Sequence, residues 1–194
     1  MSDSTSQHLR STVAAVIHTS PKFRVEHCTM TLPDGGVHEY DQIAHAGAAV
    51  LLPVLDDGRV VLIHNYRYTV GRELLELPAG TLDADESPEV CAARELTEET
   101  GYRAAALRHL VSFYATPGFC TERMHVYVAT GLTAGEARRE KGELIRLAPQ
   151  SLDDALSFIR DGVIVDAKTM VAILYYARFG VTGAGEASPQ GGSR

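Results

Sequence analysis

The segment GTLDADESPEVCAARELTEETGY, residues 80–102, carries most of the acidity of the chain. It holds seven acidic residues and one basic residue, Arg94, which gives a net charge of minus six against minus seven for all 194 residues. Carboxylates that are this concentrated repel one another unless a counter-charge lies nearby. The segment is therefore the first place to look for chemistry.

Local signals predict a helix over residues 88–100 of this segment. Ser87 is a favourable N-cap, Pro88 suits the first helical position, and Gly101 suits the residue that ends a helix. At about 3.6 residues per turn, three glutamates fall within an arc of roughly 100 degrees. They are Glu95, Glu98 and Glu99. One edge of the helix is thus a ridge of carboxylates beside a less polar face.

Two interpretations fit such a ridge. Like charges three and four residues apart destabilise a helix by roughly 0.2 to 0.5 kcal/mol per pair, and a bound cation would remove that cost. Closely spaced oxygen ligands suit magnesium or manganese, which commonly bridge substrate phosphates. The alternative is an acidic helix face that is simply solvated. The spacing of the surrounding residues favours the cation.

That spacing follows a known pattern. Gly80 is followed after five residues by Glu86 and after seven more by Arg94. The pattern continues with Glu95, Leu96, Glu98, Glu99 and Gly101. The segment resembles the Nudix box position by position, except that Tyr102 stands where the family usually has an aliphatic residue.

The resemblance implies a loop, a helix and a second loop that hold divalent metal against a diphosphate. The implied cofactor is Mg²⁺ or Mn²⁺, with two or three ions per site. The implied metal ligands are the carboxylates of Glu95, Glu99 and Glu98 and the main-chain carbonyl of Ala79, and Glu98 is also a candidate catalytic residue. The implied structural residues are Gly80, Glu86, Arg94 and Gly101, with Arg94 and Glu86 pairing to brace the loop against the helix.

Composition excludes several other classes of function. With 18 basic and 25 acidic residues, the chain lacks the positive charge that binds nucleic acid or an anionic membrane. Its three cysteines are far apart and form no paired motif. No apolar run approaches the length of a membrane span, and the N-terminus lacks a signal-peptide core. We expect a cytoplasmic protein with no nucleic-acid or membrane partner.

The chain divides into four parts. Residues 1–10 and 182–194 are rich in small and polar residues and are predicted to be flexible tails. Residues 11–45 contain three predicted strands, two of them separated by the turn PDGG at 33–36, and form an N-terminal β-sheet extension. A sheet of this size is not stable alone, so it should pack on the catalytic domain, residues 46–181, or on a second subunit.

The order of predicted elements indicates an α/β protein. Strands are predicted at 46–54 and 59–65, joined as a hairpin by DDG at 56–58, and then at 73–77, 107–114, 123–129 and 144–147. Two further helices are predicted at 151–160 and 166–179. This order predicts a mixed β-sheet sandwiched between helices, and the Nudix resemblance implies the same fold.

Segments outside the box resemble the ADP-ribose pyrophosphatase branch of the family. They are NYRY at 65–68, ELPAG at 76–80, TPGF at 116–119 and DAKT at 166–169. The branch implies hydrolysis of ADP-ribose, a nucleoside diphosphate derivative, to AMP and ribose 5-phosphate. It also implies a homodimer, in which the N-terminal sheet of one subunit helps to bind the adenosine of the other's substrate. Relatives that cleave GDP-mannose or UDP-glucose share these segments, so the sequence does not decide which base and which sugar the substrate carries.

Substrate contacts are predicted from the same branch and from side-chain chemistry. A guanidinium can hold a phosphate through two hydrogen bonds, and an aromatic ring can stack on the base. The candidate residues are Arg67, Arg72, Pro117, Gly118, Phe119, Tyr40 and Tyr68, with Phe23 as a further aromatic. Taken alone, the sequence Pro117-Gly118 could equally be a turn.

The resemblance places the general base in a mobile loop after the box. Residues 138–143 form a charged, glycine-containing loop that could close over a substrate. We prefer Glu143 to Glu140 because Glu143 directly precedes the strand LIRL, although either could be a solvated loop charge. The competing class of function is a Nudix-fold sensor that binds a nucleotide without cleaving it. Such modules commonly lose box carboxylates, which this chain keeps.

Overall fold

The computed structural model describes residues 11–139 and 142–180, and within them the chain forms ten strands and three helices. The strands are β1 (Ser11–Thr19), β2 (Phe23–Thr31), β3 (Val37–His45), β4 (Ala48–Pro53), β5 (Val60–Arg67), β6 (Arg72–Glu76), β7 (Ala79–Thr81), β8 (Arg103–Tyr114), β9 (Arg123–Thr133) and β10 (Ile145–Gln150). The helices are α1 (Pro88–Thr100), α2 (Leu152–Arg160) and α3 (Ala167–Phe179). None of these helices is long and apolar enough to cross a bilayer.

The N-terminal sheet is antiparallel, with β2 in the centre. The turn predicted at 33–36 joins β2 to β3, and Gly35 adopts a φ of 83°, a conformation that favours glycine. The sheet is tied to the rest of the chain through β3. The Ile43 amide donates to the Phe119 carbonyl at 2.7 Å, and the Thr121 amide donates to the Ile43 carbonyl at 2.9 Å. The predicted antiparallel extension is confirmed.

The remaining strands form two sheets. A mixed sheet has the order β7-β4-β9-β8, with β4 and β9 parallel, and an antiparallel sheet has the order β10-β5-β6. The predicted α/β fold with a mixed sheet and helices is therefore confirmed. The sequence did not predict that β5, β6 and β10 form a separate sheet.

The predicted hairpin between β4 and β5 is wrong. The predicted turn at residues 56–58 is present, and the Leu55 amide closes it by donating to the Arg59 carbonyl at 2.9 Å. Only one bridge, between Val54 and Val60, follows it before the two strands enter different sheets. The Val54 amide donates to the Ala129 carbonyl of β9 instead, so the partner of β4 is decided by a distant strand.

Strand β4 is the centre of the core because all six of its residues are buried. Val50 and Leu52 belong to a cluster that includes residues of β5, α2 and α3, whereas Ala49 and Leu51 pack on α1. A strand covered on both faces needs a continuous apolar run, and the sequence of β4 supplies it.

Helix α1 has the bounds that its capping residues predict. The Ser87 hydroxyl accepts a hydrogen bond from the Val90 amide, and Gly101 ends the helix with a φ of 77°. Its apolar residues, Cys91, Ala92 and Leu96, face the mixed sheet. This packing sets the carboxylate ridge at the side of the helix, next to β7.

Candidate active site

A cleft of about 1520 Å³ lies between the N-terminal sheet and the carboxylate ridge of α1. It is lined by the turn between β1 and β2, the ends of β5 and β6, the segment 79–84, one edge of α1 and the first turn of α3. Helix α1 contributes Glu95, Glu98 and Glu99 beside Arg94, and further basic side chains come from the strands and from α3. The cleft therefore offers groups that could bind both a cation and an anion.

The loop that enters the box is held from two sides. The Leu77 amide donates to the Thr169 hydroxyl of α3 at 2.8 Å, and the Ala79 amide donates to Oε2 of Glu99 at 3.0 Å. Gly80 lies against the carboxylate of Glu95, where a Cβ atom would come within 1.8 Å of Oε1. Any larger residue at position 80 would therefore displace the Glu95 carboxylate from the place that it occupies here.

We call Glu95, Glu98 and Glu99 the acidic edge of α1. Glu95 and Glu99 are 9% and 3% exposed. Burial, followed by the negative charge of Glu95, raises the pKa of Glu99 to about 8. Burial also raises the pKa of Glu95. The charge of Glu143 acts in the same direction on both groups, which places that residue within electrostatic reach of the site.

One guanidinium serves several carboxylates at this edge. Arg94 binds Glu86 through Nε at 2.9 Å and through Nη2 at 2.8 Å, the fork geometry that suits a carboxylate. These bonds lower the pKa of Glu86 to about 2. The Nη1 atom donates to Oε1 of Glu95 at 2.7 Å and to Oε2 of Glu98 at 3.0 Å. Arg94 therefore braces the loop and also engages two carboxylates of the acidic edge.

The chemistry of the acidic edge fits a hard divalent cation. Its donors are carboxylate oxygens, and the ion pairs of Arg94 reach Glu86, Glu95 and Glu98 but not Glu99. Within residues 11–139 and 142–180, no three histidine, cysteine, aspartate or glutamate side chains already converge to hold a metal ion. The carboxylates of Glu95 and Glu98, in particular, are turned toward Arg94.

The opposite wall contains a second set of buried charges, which we call the Glu76 network. Its members are Asn65, Arg67, Glu76, Asp166 and Lys168. Glu76 accepts hydrogen bonds from Asn65, Arg67 and Lys168. Lys168 also donates to Oδ2 of Asp166, the N-cap of α3, at 2.9 Å. Two acids and two bases cancel each other's charge in this network.

The structure brings many of the predicted residues together. The cleft is lined by Phe23, Arg67, Tyr68, Ala79, Gly80, Arg94, Glu95, Glu98, Glu99 and Glu143. Glu86 adjoins the site through Arg94, and Gly101 lies at the far end of α1. Glu140 lies outside the described residues. The Tyr68 hydroxyl donates to the Gly142 carbonyl at 2.8 Å, so this ring is tied to the segment that leads to Glu143.

Other predicted substrate residues do not line this cleft. They are Tyr40, Arg72, Pro117, Gly118 and Phe119. The Tyr40 hydroxyl pairs with the Ser11 hydroxyl in the N-terminal sheet, and the Phe119 carbonyl is occupied by the Ile43 amide. Arg72 lies opposite Arg67 in the β5–β6 ladder and is exposed. Their contact with substrate stays a prediction.

Several charged residues of the cleft were not predicted from the sequence to have a role. Glu76, Asp166 and Lys168 fall within segments quoted for their resemblance, yet their mutual contacts join residues 92 positions apart. Arg24, from the β1–β2 side, also lines the cleft, and its guanidinium is bonded to the buried Glu26. A usable signal was present in one case, because Glu76 interrupts the apolar run LLELPA, where a charged residue needs a buried partner.

The fold and the acidic edge define the class of protein. The chain belongs to the Nudix family, since a family model described as NUDIX domain matches residues 44–170. It is 38% identical over 146 residues to a protein named ADP-ribose pyrophosphatase from Bacillus subtilis, covering 74% of this chain and 79% of that protein. It is also 38% identical to a GDP-mannose pyrophosphatase from Cronobacter sakazakii, covering 70% of this chain and 75% of that protein.

A solved structure shows the same fold. The structure titled "Crystal structure of ADP compounds hydrolase" superposes with a TM-score of 0.75 and covers 88% of this chain and 94% of that chain. Sequence identity between the two is 22%, so this likeness speaks for the fold alone.

Proposed function

We propose that this protein is a metal-dependent hydrolase that cleaves the diphosphate of ADP-ribose to give AMP and ribose 5-phosphate. The observation that carries the proposal is the buried carboxylate of Glu99, which stands beside Glu95 in a cleft whose other wall presents Arg67. A cation at the acidic edge and a guanidinium opposite it suit the two ends of a bound diphosphate. The similarity to a relative named ADP-ribose pyrophosphatase supports the substrate.

Nudix ADP-ribose pyrophosphatases are metal-dependent hydrolases in general. The residues proposed to hold the ions are Glu95, Glu98 and Glu99, with the carbonyl of Ala79. When bound, Mg²⁺ or Mn²⁺ would neutralise phosphate charge and make a water molecule more acidic. In our proposal two or three ions bind, and the carboxylates of Glu95 and Glu98 turn from Arg94 toward them.

The chain's own residues account for the remaining steps. The water oxygen forms a new bond to one phosphorus, the bridging P–O bond breaks, and the bridging oxygen leaves with the other phosphate. We assign the proton of the water to Glu143, which lines the cleft close enough to affect the pKa of Glu99. Arg67 is assigned to a phosphate, and Arg94 keeps the box loop against α1.

Base recognition is assigned to the aromatic side chains at the rim of the cleft. Phe23 and Tyr68 line the cleft and are 38% and 67% exposed, so each has ring surface available to a base. Stacking of this kind contributes roughly 1 to 3 kcal/mol per base. Aromatic stacking alone does not distinguish adenine from guanine.

A second substrate class is therefore tested beside the first. The similarity to a GDP-mannose pyrophosphatase is equal in identity to the similarity that supports ADP-ribose. Purified protein is incubated with ADP-ribose, GDP-mannose or UDP-glucose, each with Mg²⁺ and with Mn²⁺, and the products are identified by mass. We expect AMP and ribose 5-phosphate as the fastest-formed products.

The outcomes of this panel separate the hypotheses. Faster cleavage of GDP-mannose would overturn the substrate and keep the reaction. Binding of ADP-ribose without cleavage of any compound would favour the sensor. Metal dependence is checked by chelation, which should abolish turnover, and by readdition of each metal alone.

The protein is further proposed to be a cytoplasmic homodimer in which the N-terminal sheet, residues 11–45, forms the interface. Strand β1 is exposed along its whole length and carries Val13, Val16 and Ile17. The family match begins at residue 44, where this sheet ends. Light scattering on the full chain and on the Val16→Asp variant tests this assembly, and a wild-type monomer would overturn it.

A further inference from the structure

Glu76 lies deep in the cleft wall, with no exposed surface. It ends β6 between Leu75 and Leu77, both of which belong to the main core. Its carboxylate accepts three hydrogen bonds and forms one further ion-pair contact. Oε1 accepts from Nδ2 of Asn65 at 3.0 Å and lies 2.7 Å from Nη2 of Arg67, and Oε2 accepts from Nε of Arg67 and from Nζ of Lys168, both at 3.2 Å.

The fold by itself does not require a carboxylate at this place. Replacing a buried ion pair by apolar residues of similar volume is often neutral or stabilising, because burying charge is costly. The neighbours of Glu76 along the chain are leucines, and an apolar side chain would extend the same core. The carboxylate is therefore better explained by what it holds than by what it contributes to stability.

Glu76 fixes the plane of the Arg67 guanidinium. The hydrogen bond from Nε and the ion-pair contact of Nη2 use one edge of the planar fork, so Nη1 is directed away from Glu76. The Arg67 side chain is 39% exposed and lines the cleft. Lys168, which is only 6% exposed, forms ion pairs with both Glu76 and Asp166. The Glu76 carboxylate therefore has a second cationic partner besides Arg67.

We propose that Glu76 is a positioning residue, which orients Arg67 so that the free edge of its guanidinium meets a phosphate of the substrate diphosphate. This inference rests on the proposed function, in which Arg67 binds a phosphate. It adds that the reaction depends on a buried carboxylate that never touches the substrate. A planar cation held at both atoms of one edge loses little rotational freedom when it binds a phosphate.

A double-mutant cycle tests the proposal on the full-length protein. Glu76→Gln keeps the size of the side chain but presents an amide to donors, and it should lower kcat/KM for the hydrolysed diphosphate by about 100-fold, the cost of a misplacement of about 1 Å. In an Arg67→Ala background the same change should have an effect within about twofold, because the group that it positions is gone. An equal loss in both backgrounds would overturn the proposal.

A matched control separates position from general damage. Glu73→Gln removes another carboxylate of β6, one that pairs with His64 and Arg146 outside the cleft, and it should leave kcat/KM unchanged. If Glu76→Gln does not fold, Glu76→Asp replaces it. That variant keeps the charge while withdrawing the oxygens by one methylene, and it should give the same loss only when Arg67 is present.

A spectroscopic readout keeps the inference distinct from the proposed function. In ¹⁵N-labelled protein, the Nε–H signal of Arg67 should shift on addition of inorganic pyrophosphate without metal, and Glu76→Gln should move the signal of the free protein and abolish the response. If the wild-type protein hydrolyses none of the diphosphates, the proposed function fails, and this readout still decides the role of Glu76. An unchanged signal in Glu76→Gln would overturn it.

Discussion

Two sets of buried charges face each other across the cleft, and they are balanced differently. In the Glu76 network, two acids meet two bases and the charges cancel inside the protein. At the acidic edge of α1, Glu95 and Glu98 share Arg94 with Glu86, Glu99 accepts a hydrogen bond from a backbone amide, and negative charge is left over. The first set is complete in the folded chain, whereas we propose that the second set is stabilised by a cation from outside.

This difference separates charges that are paired within the chain from charges that, in our proposal, await a ligand. Removing one residue of the Glu76 network should cost stability, because its buried partners are left unpaired, whatever that residue also contributes to activity. A residue whose partner arrives with the substrate or the metal should be needed for activity and should cost stability in its absence. The acidic edge and the Glu76 network can therefore be distinguished by measuring turnover and unfolding on the same variants.

The largest effect is expected for Glu99→Gln. Loss of an outer-shell partner at a metal site costs roughly 10- to 100-fold in activity, and loss of a proposed ligand should exceed this. The free energy of unfolding at pH 8 should be unchanged or higher, because a buried charge beside Glu95 is removed. Steady-state kinetics and urea denaturation measure the two quantities. Turnover close to that of the wild type would refute the assignment of Glu99.

Lys168→Met should act in the opposite way. It leaves the buried carboxylates of Glu76 and Asp166 with one cation fewer, and breaking a buried pair costs about 3 to 5 kcal/mol of unfolding free energy. Urea denaturation at pH 7 measures the loss. Lys22→Met is the control, since Lys22 is exposed on the rim of the same cleft. Equal stability of the two variants would show that Lys168 is not needed to neutralise the buried carboxylates of the Glu76 network.

The metal-free protein should become less stable as the pH rises from about 5 to about 8. Burial and the charge of Glu95 raise the pKa of Glu99 to about 8, so in this window the folded chain keeps a proton that the unfolded chain has released. The free energy of unfolding must then fall with rising pH, by about 3 kcal/mol across the window. Thermal and urea denaturation at several pH values in a chelating buffer measure the slope.

Two controls sharpen the pH experiment. Glu99→Gln should remove the slope between pH 5 and 8, and saturating Mg²⁺ should weaken it, because a bound cation favours the ionised carboxylates. The loss of stability at low pH should remain. The pKa of Glu86 is lowered to about 2 by Arg94, so its contribution is lost as the pH falls from about 4.5 toward 2. If stability still falls between pH 5 and 8 in Glu99→Gln, a group other than Glu99 causes the pH dependence.

The smallest effect is expected for Tyr68→Phe. This change removes the hydrogen bond to the Gly142 carbonyl, next to Glu143, and a bond of this kind contributes about 1 kcal/mol. If the bond keeps Glu143 at the cleft, turnover should fall about fivefold, and the free energy of unfolding should fall by no more than about 1 kcal/mol. An increase of KM alone would instead assign the ring of Tyr68 to stacking on the base.

The features that were predictable from sequence are local ones. Helix α1 could be placed because Ser87 and Gly101 act on the backbone within one turn, and the Arg94–Glu86 pair could be anticipated from the spacing of the family pattern. The DDG turn was also found. The pairing of β4 was not, because its partner β9 lies far along the chain and turn residues carry no information about it.

The site was predictable where it follows the helix and not where it depends on tertiary contacts. The carboxylates of the acidic edge share one side of α1 by periodicity alone. The capture of Glu95 and Glu98 by Arg94 depends on rotamers, and the sequence does not specify these. The Glu76 network joins the ends of β5 and β6 to the start of α3, so no window of sequence contains it.

The separation of Glu76 from Lys168 also has a consequence for how the protein is made. The two residues are 92 positions apart, so at roughly 5 to 20 residues per second a ribosome adds the lysine roughly 5 to 20 seconds after the glutamate. Once Tyr102 has been added, the nascent chain carries the whole box but still lacks the ammonium group and the Thr169 hydroxyl that hold residues 76 and 77. This wall of the cleft is thus completed only when α3 docks.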